Sequence, residues 1–491
     1  MRTEFPLQAF RLEHGYSFDQ PLKGPGFAGE NLVVGGLAND PEPAAFFLGR
    51  VAEHDRWKAN VWIDVKGAHA VYVMGKRRSG KTFTLGDFAE GLVSRQWVCT
   101  CRQRQAVLLL DTLNVFLSMP HAVLDVCGED SREGQELKQW GLESENLPLK
   151  IFYPKGSPPP PEGLGEELAI RPFDLNAEDW AALFGADTYS DPMGQLLAQV
   201  YDSVAIDGYT DRANSRIPPN CTYEVNDFLR CLDENPDVGR FEQRTVEGVR
   251  RRLRALARLP IFSGSGPNLG ALFTEGQVSL VLLGNIDYEL RGLLIGTIVK
   301  KIMELRSISD GFERMASLYA DKAKSFESRD PDEASVYREK YKAFAEKAKA
   351  GLPRGWVIID EAHNYIPARG IVASKGPLKK YVTEGRNLGL SIVVATQQPS
   401  GLDPVIQRNA DILIAHSMSM RDDLQAAEGM VNTFMPDSVT CDGREKISSR
   451  VFEQLVRSLD LGYALVSNDR MNRVFPMKVR PRITVHGGRE Y

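Results

Sequence analysis

Val71-Tyr-Val-Met-Gly75-Lys-Arg-Arg-Ser-Gly80-Lys81-Thr82 is the stretch that decides the fold. A short apolar run fits a buried strand and stops at Gly75; a helical pattern, Leu85 to Val93, follows Thr82. Gly75-x-x-x-x-Gly80-Lys81-Thr82 is therefore a P-loop in a strand-loop-helix setting. Gly75 and Gly80 let the backbone curl until successive N–H groups converge on phosphate oxygens, and the helix adds its unpaired N-terminal donors. Lys76, Arg77, Arg78 and Ser79 complete the phosphate cradle, Lys81 reaches the β and γ phosphates, and Thr82 holds Mg2+. ATP and Mg2+ are the ligands this spacing implies.

Around the loop the chain alternates strand and helix, as a parallel sheet covered by helices requires. Ala106-Val-Leu-Leu-Leu-Asp111 is a second buried strand, its Asp111 either a ligand at the strand's carboxyl end or a turn cap. Val278 to Leu283 is another. Trp356-Val-Ile-Ile-Asp360-Glu361-Ala-His363 is an apolar strand ending in two acids, the Walker B pattern. Asp360 would orient Mg2+, and Glu361 would position and deprotonate the attacking water. Ser391 to Gln398 is a strand ending in amides that can reach a γ-phosphate or a water. Ala410 to Ala415 and Tyr463 to Val466 continue the sheet.

The remaining segments are inserted into or appended to this core. Asn31 to Val34, Ala45 to Leu48 and Val61 to Val65 read as a small N-terminal β-layer. Ser144 to Leu164, with Pro158 to Pro161, reads as a stiff extended connector. Helical patterns then fill Ala177 to Leu259. The last carries Arg244, Arg250, Arg251, Arg252, Arg254 and Arg258, read first as a solvated face and second as a nucleic-acid or inter-subunit contact. Phe312 to Lys349 is a charged helical hairpin broken near Asp330-Pro331. The expected organisation is a β segment at 1–65, core at 66–173, helical subdomain at 174–275, core strand and helix at 276–305, hairpin at 306–352, core at 353–470 and a basic tail at 471–491.

Composition sets the bounds. In 491 residues, 43% hydrophobic and 25% charged content is ordinary for a globular protein. The formal charge of −5 requires any nucleic-acid contact to come from a local basic surface. Six cysteines without a CxxC pair, no signal-peptide pattern at Met1 to Phe5 and no apolar run near ~20 residues point to a cytoplasmic chain with reduced thiols and no membrane contact.

Five motifs in order, Gly75 to Thr82, Ile359-Asp-Glu-Ala-His-Asn-Tyr-Ile-Pro367, Glu384-Gly-Arg-Asn-Leu-Gly389, Ala395-Thr-Gln-Gln-Pro-Ser400 and Val479-Arg-Pro-Arg482, resemble the HerA family of the HerA/FtsK superfamily of ring ATPases. The resemblance implies a RecA-like α/β core with a mostly parallel sheet and an inserted helical bundle. It further implies a homo-hexamer that moves double-stranded DNA with a nuclease or other effector partner. It gives Gln397 the role of sensor and Arg386 that of a finger inserted into the neighbouring subunit's site. Arg369, Lys375, Lys379 and Lys380 are candidate DNA contacts of the channel. Three departures stand out: Arg78 where relatives often carry glycine, an N-terminal segment too short for a full β-barrel, and a long hairpin. They favour antiphage defence, with DNA-end processing next. A nucleotide-bound ring that scaffolds an effector, and a secretion-type motor acting on protein, are the competing expectations.

Overall fold

The computed structural model describes residues 31–36, 44–52, 59–101, 104–265, 269–431, 439–441, 445–447, 451–468 and 473–487. The sequence readings on 1–30 and 488–491 lie outside these. A single sheet of thirteen strands organises the described chain. From one end to the other its strands are Asn31–Val34, Asn60–Asp64, Ala45–Val51, Arg473–Val479, Tyr463–Asn468, Ile412–Ala415, Ala70–Met74, Leu390–Thr396, Gly355–Ile359, Ala106–Asp111, Val278–Leu282, Leu149–Pro154 and Glu166–Leu168. From Ile412–Ala415 onward every pairing is parallel; before it, the strands pair antiparallel except at the Asn31–Val34 end.

The six parallel strands from Ile412–Ala415 to Val278–Leu282 are buried along their whole length because helices cover both faces, whereas Leu149–Pro154 and Glu166–Leu168 at the sheet's end are partly exposed. Alternation sorts their side chains: Tyr72 and Met74 enter one core, Val71 and Val73 the other, as the two-residue period of a strand demands. The first core takes in the helical insertion Ala177–Leu183, Pro192–Tyr201, Val225–Glu234 and Gln243–Leu256. The second holds the P-loop helix Lys81–Val93 and the aromatics Phe46, Phe47, Trp62 and Trp140.

Three segments differ from the sequence reading. The N-terminal strands are not a separate layer: Gly49, Arg50 and Val51 pair with the C-terminal strand at Val479, Lys478 and Met477, so both ends of the described chain extend the core sheet. The stretch read as a connector, Ser144 to Leu164, supplies one strand, Leu149–Pro154, before its proline run, and a second, Glu166–Leu168, follows just beyond it. Their sequences, Leu-Lys-Ile-Phe-Tyr-Pro and Glu-Glu-Leu, alternate too weakly to announce a strand at the sheet's end. Third, position 305/306 falls inside one helix, Tyr288–Phe326, which runs 39 residues from the core into the hairpin. Its partner Pro331–Ala350 starts where Asp330 caps the amides of Asp332 and Glu333 and Pro331 takes the first turn.

Candidate nucleotide site

The parallel register brings the motifs to one rim of the sheet. Met74 stands opposite Thr396, and Ile359 opposite Val394, so Gly75, Gln397 and the Asp360-Glu361 pair all emerge at the carboxyl ends of neighbouring strands. Gly75 (φ 159) ends its strand and Gly80 (φ 112) caps the helix. A Cβ at Gly75 would lie 2.4 Å from the Ser79 Oγ and 2.7 Å from the Cβ of His416. Arg78 adopts φ 62, left-handed backbone that favours glycine, which explains why a glycine suits this position; the arginine side chain is exposed beside Lys76 and Arg77.

Lys81 is buried, and its Nζ donates to the Lys76 carbonyl at 3.0 Å. Burial lowers its pKa, against the pull of Glu361 and Asp360. The Thr82 hydroxyl donates to Asp360 Oδ2 at 3.2 Å, two hard oxygens of the kind Mg2+ takes. Burial, then the adjoining Glu361, push Asp360 up to about 6, while Lys81, the Glu361 N–H and Thr82 pull it down.

Glu361 takes left-handed backbone, φ 49, and is buried. Its Oε1 accepts from the Gln397 amide, and its Oε2 lies 3.5 Å from His363 Nδ1 without a hydrogen bond. His363 Nδ1 is held 2.9 Å from the Thr396 hydroxyl, and burial lowers its pKa. The orphaned Glu361 Oε2 and Ser79 Oγ, both buried, are polar atoms aimed into a site that a phosphate and a water would satisfy. The residues present therefore fit a magnesium nucleotide.

Two contributors went unread in the sequence. His363 lies within the motif Ile359 to Pro367, where the sequence assigns it no role. His416 follows the strand Ile412–Ala415 directly, and its imidazole bridges the Thr84 hydroxyl and the Tyr463 carbonyl, each at 3.0 Å, under both P-loop glycines. Burial pushes it down to about 4, so it stays neutral. The available signal was its place, first past a strand that pairs with the P-loop strand. Asp111, left open between ligand and cap, accepts from the N–H groups of Leu113, Val115 and Phe116, the geometry of a turn cap.

Arg386 stands elsewhere. It lies on the short helix Gly385–Leu388, just before the strand Leu390–Thr396 begins, and so at the opposite rim from Gln397. Seven residues of strand separate the rims by about 20 Å. The candidate DNA contacts are also apart from the P-loop. Lys375 and Lys379 approach Asp403 at 3.6 and 3.5 Å, Lys380 approaches Glu384 at 4.0 Å, and Arg369 is exposed. The three lysines line a cleft of about 1440 Å3 facing Asp179 and Lys300 of the insertion and long helix.

No family model matches the chain. The DNA double-strand break repair helicase HerA of Pyrococcus furiosus is 26% identical over 287 residues, 55% of this chain and 50% of the relative, so the match spans about half the relative's length. Among solved structures, VirB4 of Thermoanaerobacter pseudethanolicus (13% identity, TM-score 0.47) aligns over 90% of this chain and 97% of its own. The bacterial conjugative coupling protein TrwB (13% identity, TM-score 0.48) aligns over 88% and 90%. The resemblance implied by motif order and the one returned by sequence comparison are the same: this chain is similar to the HerA family of P-loop ATPases.

Proposed function

We propose that the chain is a Mg2+-dependent ATPase that works as a ring, a homo-hexamer moving double-stranded DNA. The observation that carries this reading is the split of the site across the sheet: Thr82, Asp360, Glu361 and Gln397 at one rim, Arg386 at the other. A cation about 20 Å from its own P-loop cannot serve it, but a head-to-tail neighbour can receive it. A hydrogen-bonded Thr82–Asp360 pair would hold Mg2+, which neutralises charge developing on the phosphates. Lys81 leaves the Lys76 carbonyl for a phosphate oxygen. Glu361, steadied by Gln397 and facing His363, orients a water and takes its proton. DNA handling is supported by the HerA relative's description. Work with a nuclease or other effector, in antiphage defence or DNA-end processing, belongs to the same proposal.

The test is steady-state ATP turnover at low salt with and without linear duplex DNA. Glu361→Gln should bind ATP and not turn it over, whereas Lys81→Ala should lose binding. Arg386→Ala should cost ~10³-fold or more. Mixing it with Glu361→Gln subunits should restore part of the rate; no rescue at any ratio would sink the shared site. Turnover indifferent to DNA would favour a ring that scaffolds an effector.

A further inference from the structure

The helical insertion carries a stripe of arginines that the ATPase site does not use. Between residues 240 and 258 there are seven arginines against two glutamates, in a chain whose formal charge is −5. The helix Gln243–Leu256 buries Val246, Val249 and Leu253 against the insertion's core. At 100° per residue, Arg244, Arg251, Arg254 and Arg258 fall within an arc of about 80° on the far side, Arg258 just beyond the helix end. All four are exposed, and among the described residues none has an ion-pair or hydrogen-bond partner for its side chain. Two of the nearby acids are taken by another residue: Asp233 and Glu247 both pair with Arg250. Arg252 is likewise occupied, donating to the Phe184 carbonyl at 2.9 Å and lying over the Phe184 ring.

The stripe runs about 21 Å, 14 residues at the helical rise. None of the large exposed hydrophobic side chains lies on this helix. The fully buried core of a protein interface is richer in apolar area than the surface at large. A phosphate backbone requires only charge and donors, and arginine offers them in pairs. The lysines near the cleft, by contrast, already face Asp403 and Glu384.

We propose that the outer face of Gln243–Leu256 is a nucleic-acid surface, gripping the phosphate backbone of a duplex outside the nucleotide site through Arg244, Arg251, Arg254 and Arg258. The surface acts without nucleotide, so it stands or falls separately from ATP hydrolysis.

The test is fluorescence anisotropy of a labelled linear duplex without nucleotide, at 50 to 200 mM salt. It compares the full chain with a version carrying Arg244→Ala, Arg251→Ala, Arg254→Ala and Arg258→Ala, and with one carrying lysine at the same four positions. Losing four phosphate contacts should flatten the slope of log K against log salt by about 3.6, so the wild-type affinity should fall about 150-fold more than the alanine version's over that range. The lysine version should keep the wild-type slope. Circular dichroism and DNA-free ATP turnover should be unchanged in both. An alanine version with the wild-type slope, or a lysine version as weak as the alanine one, would overturn the proposal. A change in particle mass by mass photometry at unaltered DNA affinity would also overturn it, and would make the stripe a contact between copies.

Discussion

The C-terminal tail and the insertion helix are both arginine-rich, and in the folded chain their arginines meet opposite fates. Arg480 and Arg482 are buried; Arg244, Arg251, Arg254 and Arg258 stand in water. Arg480 donates to Glu90 Oε2 at 2.8 Å and to the carbonyls of Phe47, Pro481 and Asp87. Arg482 donates to Glu90 Oε1 at 2.5 Å and to the Thr484 hydroxyl at 2.6 Å. Glu90 also receives the N–H groups of Ile483 and Thr484. Burial alone would raise its pKa; the two guanidiniums and Thr484 outweigh that and hold it low. Asp87 and Glu90 sit on the helix that begins with Lys81, so the tail is bolted to the P-loop element. Local sequence makes a segment basic; only a distant carboxylate decides whether the charge is structural or available.

Breaking the buried side of this comparison should have the largest effect. Arg480→Ala leaves Asp87 without its nearest cation and removes one of the two guanidiniums that hold Glu90, a loss of about 3 to 5 kcal/mol. A urea midpoint well below wild type is the expected result. Removing charge on both sides, as Arg480→Met with Asp87→Leu, should cost less than Arg480→Ala alone. A neutral Arg480→Ala would show that the tail is not an anchor.

His69 is a further buried cation, and pH tests it. Its ring lies 2.7 Å from Asp411 and 3.1 Å from Asp64. Burial would lower its pKa, but the two aspartates prevail and raise it from 6.5 to about 9. A raised folded pKa means stability that is fully present below pH 6.5 and lost as pH climbs through about 9. The span corresponds to on the order of 3 kcal/mol. Wild-type urea midpoints should therefore fall between pH 6.5 and 9.5, while His69→Asn should start lower and stay flatter. Parallel curves for the two proteins would remove His69 from the role.

The same contrast explains which features are legible in the sequence alone. The P-loop and the Walker B pair are local: each motif lies on one strand end, and the periodicity of that strand placed it. The core strands Ala106–Asp111 and Leu390–Thr396 are apolar enough to declare themselves. The contacts that tie the site together are not local. Glu361 meets Gln397 across 36 residues, Thr82 meets Asp360 across 278, and Arg480 meets Glu90 across 390. Motif order names the residues of the first two contacts but not the contacts themselves. The last had no signal, because Asp87 and Glu90 sit in a helix that is buried nearly all round, and nothing local says which distant cation would meet them. His416 was hidden for the same reason: a lone histidine after a strand gains meaning only once the neighbouring strand is the P-loop strand.

The exposed side of the comparison predicts the smallest change, and it is the one that separates a working surface from a structural one. Arg251→Ala removes no ion pair and no packing that supports the fold, so its urea midpoint should match wild type within about 0.5 kcal/mol. Its effect should appear only in duplex binding, as a slope flatter by about 0.9 in log K against log salt. A destabilised Arg251→Ala with unchanged DNA binding would mean that the exposed arginine supports the insertion helix, and the division between buried anchors and available charges would fail at that residue.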